Sequence, residues 1–453
     1  MAVEGTGIEE LLRVAVRPMG RPSWRYRALF ALLGAAVAWG GVAYAYQLVH
    51  GLGVTGLNDN VPWGFYEANI VSFIGFSYGG ALTSAILRLI GAGWRTPVTR
   101  LAEAVALVTL LIGAAFPIIH LGRPERVWEF LASPRASSPL VWDVVAISTY
   151  LAATAVFLYL PLIPDLAACR DWPELGLGRM RRRLVERLAA GWQGLPDQRA
   201  CLHRALGIVS VLIIPLAVSV HSVLAWAFAV TSRPGWHSTI YGPYFVVAAL
   251  YAGVALVIVV VGVYRKAYRL ERYITEVQLR NLGFILLALG AVYLYFTFAE
   301  MLTEGYVAAR DTVPIIEALL TGSYSPLFWL VVVGGIVVPI LLVAFPLTRN
   351  PAGITAAGLL AAGGMWLKRF LIVVPPLVQP PLGEEVAFYA PTWVEISITV
   401  AATAAIPFLV MVLFRFVPVL PVWEMVEESE RVASERRRLA AARAGAGGAG
   451  GGV

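Results

Sequence analysis

Long apolar stretches alternate with short polar ones along nearly the whole chain. Sparsely charged runs, each near the ~20 residues that carry a helix across a hydrocarbon core, lie near 27–49, 62–88, 101–121, 139–163 and 205–230. Five more lie near 241–264, 281–301, 325–347, 353–376 and 393–417. Backbone inside a bilayer must satisfy its own hydrogen bonds, so this pattern predicts an all-α integral membrane protein of about ten transmembrane helices. Residues 164–204 form the longest interior loop, with Arg181, Arg182 and Arg183 near its centre. That loop suits either an amphipathic segment lying on anionic lipid or a solvated charged stretch. From 424 to 453 mixed charges give way to Ala and Gly, which bury no core, so this tail is expected to be disordered.

Two stretches echo each other. Ser138-Pro139-Leu140-Val141-Trp142 opens the fourth span and Ser325-Pro326-Leu327-Phe328-Trp329 the eighth. Pro62-Trp63-Gly64-Phe65 and Pro243-Tyr244-Phe245 open the second and sixth. The expected plan is therefore two parallel-repeat four-helix bundles, 62–230 and 241–376, with peripheral helices at 27–49 and 393–417. Ser-Pro before a helix and Trp at an interface are also common punctuation, so both readings of the echo stay open here. Gly75 and Gly79 have the small-xxx-small spacing of closely packed helices.

Composition narrows the class. Of 453 residues, 59% are hydrophobic and 14% charged, against roughly 25% charged in soluble domains. The net charge of +7 does not mark a nucleic-acid binder, because the basic residues occupy loops between spans. Of 35 Lys and Arg, 28 fall in the amino-terminal segment 1–26 and its immediate border, in alternate loops, and at the carboxyl end. Five fall in the opposite loops, and Lys368 and Arg369 lie within the ninth span. By the positive-inside rule both termini face the cytoplasm, which fits a bacterial cytoplasmic membrane. Residues 1–26 show no short apolar core with a cleavage site, so no signal peptide is expected. Cys169 and Cys201 are too few to hold an iron–sulfur cluster, so any such cluster belongs to a partner.

Ionisable groups inside a bilayer are costly, and their positions are informative. With this topology Glu67 lies in the first turns of span 2, and His120 ends span 3, followed by Arg123. Asp143 lies one turn into span 4 and His221 in the outer half of span 5, so all four gather in the extracytoplasmic half of the first bundle. In the second bundle Glu300 and Glu304 approach the outer end of span 7, opposite Lys368 and Arg369 of span 9, and Arg369 is expected to pair with one of these carboxylates. Taken singly, His120 could be a helix-end cap, Asp143 a partner for Arg123, His221 an interhelical hydrogen-bonding group, and Trp63, Tyr66, Trp142 and Trp226 an interfacial belt. Taken together, a His and a carboxylate facing a membrane cavity suit quinol oxidation, which needs two proton acceptors near neutral pH and aromatic groups beside a flat ring.

The stretches Phe116-Pro117-Ile118-Ile119-His120-Leu121-Gly122-Arg123-Pro124, Ser138-Pro139-Leu140-Val141-Trp142-Asp143, Ser219-Val220-His221-Ser222 and Pro234-Gly235-Trp236-His237-Ser238-Thr239 resemble the NrfD family. That family contains the membrane subunits of polysulfide reductase and related complexes. Met365-Trp366-Leu367-Lys368-Arg369-Phe370 and Pro391-Thr392-Trp393-Val394-Glu395 resemble more particularly the ten-helix quinol-binding subunits of alternative complex III. The likeness covers about residues 55–424. It implies an oxidoreductase subunit without a redox metal of its own, which binds menaquinol near the outer surface and passes electrons to an extracytoplasmic, ferredoxin-like iron–sulfur subunit. A molybdopterin-type or cytochrome c subunit and a homologous membrane subunit are further implied partners. His120 and Asp143 carry over as quinol-site residues, with Glu67, Arg123, Trp142, His221 and Trp226 as the remaining quinone-binding candidates. Glu103, Glu300, Glu304, Lys368 and Arg369 are candidates for a proton path or for structural ion pairs. Two positions depart from the family pattern: Ala227 follows Trp226 where an Asp is expected, and Lys368 replaces an acidic neighbour of the arginine. Both weigh against proton translocation. A haem b quinol dehydrogenase, with iron between His120 and His221, and a secondary transporter stay open as alternatives.

Overall fold

The computed structural model describes residues 6–172, 175–176, 178–231, 233–379 and 386–448. Ten described helices are long and apolar enough to cross a bilayer. They are α1 (Trp24–His50), α2 (Phe65–Leu89), α3 (Thr96–His120), α4 (Pro139–Arg170), α5 (Pro196–Ala229), α6 (Tyr241–Ala267), α7 (Glu276–Val307), α8 (Ser325–Ala344), α9 (Pro351–Val378) and α10 (Trp393–Leu413). Their starts follow local chemistry. Proline stands in the first turn of α3, α4, α5 and α9, where its missing N–H is no loss. Ser23 Oγ caps α1 by accepting from Tyr26 N–H at 3.2 Å, and Asn350 caps α9 through Gly353 N–H at 2.9 Å.

Several helices run past their apolar windows. Most of the segment expected to be loop, 164–204, is helical, because α4 continues to Arg170 and α5 starts at Pro196. Hydropathy stops at the first charges, whereas helical hydrogen bonding does not. A further helix, Arg179–Leu188, lies between them with Val185 buried, and Tyr159 of α4 donates to Leu188 O at 3.0 Å.

Helices α2 to α5 pack on one another, as do α6 to α9, while α1 and α10 pair and lie against α3. The most buried helix, α2, joins the two groups by running along α6. A Cβ built on Gly79 would fall 1.8 Å from Gly253 C, and Gly75 faces Ala249, so these helices cross in parallel with their backbones in contact. Prolines free carbonyls that other groups then take. Pro339 cannot donate to Gly335 O, residues 330–337 of α8 wind as a π-helix, and Tyr251 supplies the hydrogen bond at 2.9 Å. Pro376 likewise frees Ile372 O, which accepts from Trp236 Nε1 at 2.8 Å.

The end of the bundle where α2 finishes and α3 begins is held by buried ion pairs. Fully buried Arg100 reaches Asp165 at 2.7 Å, and Asp165 also accepts from Trp423 N–H at 2.8 Å. Glu424 lies between Arg88 at 2.5 Å and Arg95 at 3.3 Å. The expectation of a disordered tail is therefore corrected: Val422–Gly448 is helix, anchored at its start because its carboxylate is the counter-charge for two arginines. Residues 449–453 lie outside the described residues.

Burial alone would push the Glu424 carboxyl up, but the Arg88 and Arg95 guanidiniums outweigh it and hold it below the usual carboxylate range. A pKa lowered by folding means that the contact stabilises fully above the ordinary carboxylate pKa and is lost as pH falls through the folded value. Glu424→Gln is therefore expected to lower stability by about 1.5–3 kcal/mol near neutral pH, with the difference shrinking below about pH 4. Thermal unfolding of both proteins in detergent across that range measures it; a difference independent of pH would show that the charge is not what anchors the tail.

Candidate functional site

In the first group α2 and α4 begin, and α3 and α5 finish, at one end, which is the extracytoplasmic end in the orientation expected from the basic loops. His120 is the last residue of α3 and half-buried. Its Nε2 lies 3.0 Å from Pro62 O, a carbonyl that can only accept. Nε2 therefore carries the proton, and Nδ1 presents a lone pair. The Tyr66 ring meets the imidazole edge-on at 5.9 Å. Tyr66 donates to Gln47 Oε1, while Gln47 Nε2 donates to Ile119 O at 3.0 Å, so a buried amide from α1 fixes the last turn of α3.

Asp143 stands one turn into α4, half-buried, and its Oδ1 is sealed from solvent with no hydrogen-bond partner among the described residues. A buried carboxylate oxygen without a donor is expensive and therefore informative. Glu67, in the first turn of α2, lies within electrostatic reach of it. At the same end Trp63 stacks on Trp236 at 5.6 Å and meets Phe228 edge-on at 5.4 Å. The first bundle thus gathers an oriented imidazole, two carboxylates and a wall of aromatic rings.

Other candidates fall elsewhere. Trp142 donates to Ala136 O at 2.6 Å and Trp226 is 51% exposed, so both face outward as belt residues do. Arg123 is exposed and forms no ion pair with Asp143 among the described residues. His221 is fully buried, packed on the Tyr78 ring at 4.1 Å and against Gly75, with neither ring nitrogen partnered among the described residues. Between Tyr66 and Gly75 helix α2 advances about 13 Å. His221 is therefore outside the His120 site, and the two imidazoles do not face a common iron.

In the second group Lys368, not Arg369, pairs with Glu300, at 3.4 Å. This corrects the expected Arg369 pairing. Successive helical residues point about 100° apart, and Arg369 turns inward, where Nη1 reaches Met365 O at 3.5 Å and Nη2 is buried without a partner among the described residues. Glu304 is half-exposed one turn beyond Glu300. Glu103 lies at the opposite end of the membrane, buried, accepting from Ser84 Oγ at 3.0 Å. These groups form separate clusters rather than one line.

Two structural anchors escaped the sequence reading. Gln47 was the lone amide in an otherwise apolar span. Glu395 is fully buried and accepts from Gly56 N–H at 2.6 Å, Thr392 N–H at 3.0 Å and Tyr389 O–H at 2.7 Å, tying together the loops before α2 and α10. The signal for Glu395 was a capping box at Thr392.

Residues 53–381 match the family described as polysulphide reductase, NrfD. A protein of Halobacterium salinarum, assigned as a membrane subunit of dimethyl sulfoxide reductase, is 31% identical over 83% of this chain and 87% of its own length. The Hdr-like menaquinol oxidoreductase integral membrane subunit of Archaeoglobus fulgidus is 26% identical over 90% of this chain and 97% of its own length. A polysulfide reductase polypeptide of Wolinella succinogenes is 24% identical over 70% of this chain and 94% of its own length.

Proposed function

The chain belongs to the polysulphide reductase NrfD family, and from that premise we propose that it oxidises menaquinol at the His120–Asp143 end of its first bundle and hands the electrons to an iron–sulfur partner subunit. The coarser role, a multi-pass membrane subunit of an oxidoreductase complex, is that of the family. The observation that carries the finer one is the buried Asp143 Oδ1 without a donor among the described residues, at the same end of the bundle as an imidazole whose Nδ1 is left as an acceptor. A quinol hydroxyl is the donor both lack.

One hydroxyl proton passes to the Asp143 carboxylate and the other to His120 Nδ1, while two electrons leave the ring for the partner and the quinone remains. Pro62 keeps the imidazole oriented, and Glu67 is the next carboxylate to which Asp143 can pass its proton. Tyr66, Trp63 and Trp236 bound the ring apolarly. The resemblance to alternative complex III supports an extracytoplasmic ferredoxin-like partner, with a molybdopterin-type or cytochrome c subunit and a homologous membrane subunit around it. The name of the Archaeoglobus fulgidus relative supports menaquinol as the substrate. With cytoplasmic termini in a bacterial cytoplasmic membrane, protons released at this end contribute to a gradient without crossing the protein.

The test is binding. A fluorescent quinol-site inhibitor titrated into the purified protein is expected to show saturable quenching in wild type and at least tenfold weaker binding in Asp143→Asn and His120→Ala, with all three eluting alike on size exclusion. Equal affinity in the three would remove the site from this end of the bundle.

A further inference from the structure

Helix Arg179–Leu188 stands at the opposite end of α4 from Asp143 and has no part in the quinol site. Its ten residues hold five arginines and one glutamate. What surrounds them decides whether that charge is simply solvated.

Three sets of contacts fix its level. Tyr159, in the apolar run of α4 and well before the charges at Asp165 and Arg170, donates to Leu188 O at 3.0 Å. Arg181 donates to Met19 O at 3.3 Å, just ahead of α1, and its guanidinium covers the Phe416 ring, just past α10, at 5.4 Å. Val185 and Ala189 are buried. The helix therefore lies alongside the ends of the spans rather than standing off in water. At the same level Trp24 begins α1 with its ring exposed. In a bilayer that level is the headgroup region.

Successive residues turn about 100°, which divides the helix surface into strips. Val185 and Ala189 form the strip against the protein. On one flank of it Leu184 and Met180 are apolar and exposed, Met180 to 87%. On the other flank Arg182 and Glu186 pair at 3.1 Å. Between the flanks, on the side away from the protein, run Arg179, Arg183 and Arg187, all exposed and in no ion pair among the described residues. They repeat about every 6 Å along the axis. The outer surface thus passes from apolar to cationic to a neutralised pair, the order in which an interface passes from acyl chains through phosphates to water.

We propose that helix Arg179–Leu188 is a docking surface for anionic phospholipid, with Met180 and Leu184 in the acyl region and Arg179, Arg183 and Arg187 on the phosphates. A guanidinium suits this role because its planar fork takes two phosphate oxygens at once. An acidic protein or a nucleic acid would satisfy the arginines but leave Met180 and Leu184 bare at the level of the apolar spans.

The full chain with Cys201→Ser keeps the buried Cys169 as its native thiol. It carries a bimane label at Met180→Cys or at Glu186→Cys and is placed in nanodiscs of phosphatidylcholine and phosphatidylglycerol. A nitroxide on the acyl chain of one lipid or the other reports contact. At equal mole fraction, nitroxide phosphatidylglycerol is expected to quench the label at 180 at least about twofold more than nitroxide phosphatidylcholine. The label at 186 should be quenched by aqueous iodide instead. Arg179→Gln, Arg183→Gln and Arg187→Gln together are expected to equalise the two lipids at 180. Should that variant elute abnormally, Arg183→Gln alone, at the centre of the row, is expected to narrow the difference. Equal quenching by the two lipids in the parent would overturn the preference for anionic headgroups. A label at 180 quenched by iodide and by neither lipid would place the whole helix in water and overturn the docking surface. A preference that survives the substitutions would overturn the assignment to this row.

Discussion

Asp143→Asn is expected to lower the turnover of menaquinol by the assembled complex about 10²–10⁴-fold, the usual contribution of a positioned proton acceptor. Asparagine keeps the volume and still offers a carbonyl oxygen to a quinol hydroxyl, so binding suffers less than turnover. What it cannot do is take the proton. Oxidation would then have to proceed from a quinol that keeps one of its hydroxyl protons. Asp143→Glu restores the carboxylate at the cost of one added methylene and is expected to recover part of the rate, which a merely structural residue would not show. The check is steady-state oxidation of a soluble quinol analogue by the complex, with KM and kcat separated. A kcat unchanged in Asp143→Asn would move proton acceptance away from α4, with Glu67 as the first residue to examine next.

The ten spans were legible because a bilayer permits so few solutions: long apolar runs punctuated by Pro, Ser and charges correspond one for one to helices α1 to α10. The placement of Glu67, His120 and Asp143 at one end of the bundle needs only helix direction. Side-chain direction was not legible. Lys368 and Arg369 are adjacent in sequence, and only the rotation of α9 decides that Lys368 meets Glu300. Depth along a helix was equally hidden for His221, because the tilt and crossing of α2 and α5 set which turn of one faces which turn of the other. The tail misled for a different reason. Its composition is that of a solvated segment, but Glu424 supplies the counter-charge for Arg88 and Arg95, more than 300 residues earlier in the chain. No local pattern records a need created that far away.

Gly79→Leu is expected to have the largest effect on stability, about 3 kcal/mol or more, at the upper end of overpacking penalties. A first side-chain carbon on Gly79 would lie 1.8 Å from Gly253 C and 2.1 Å from Val254 N. Those are backbone atoms of α6, so no rotamer change relieves the clash and two helices must separate. The reciprocal substitution, Gly253→Leu, meets Gly79 N at 2.1 Å and should behave alike. Combining the two should add much less than their sum, since one separation accommodates both. Gly41 of α1 has nothing within 4 Å of its Cβ position, so Gly41→Leu serves as the control and is expected to be near neutral. Thermal unfolding in detergent distinguishes them. A Gly79→Leu protein as stable as the control would mean that α2 and α6 do not touch at this crossing. The parallel placement of the two helix groups would then lose its anchor, whereas His120, held at the end of α3 by Pro62 O and the Tyr66 ring of α2, would keep its geometry.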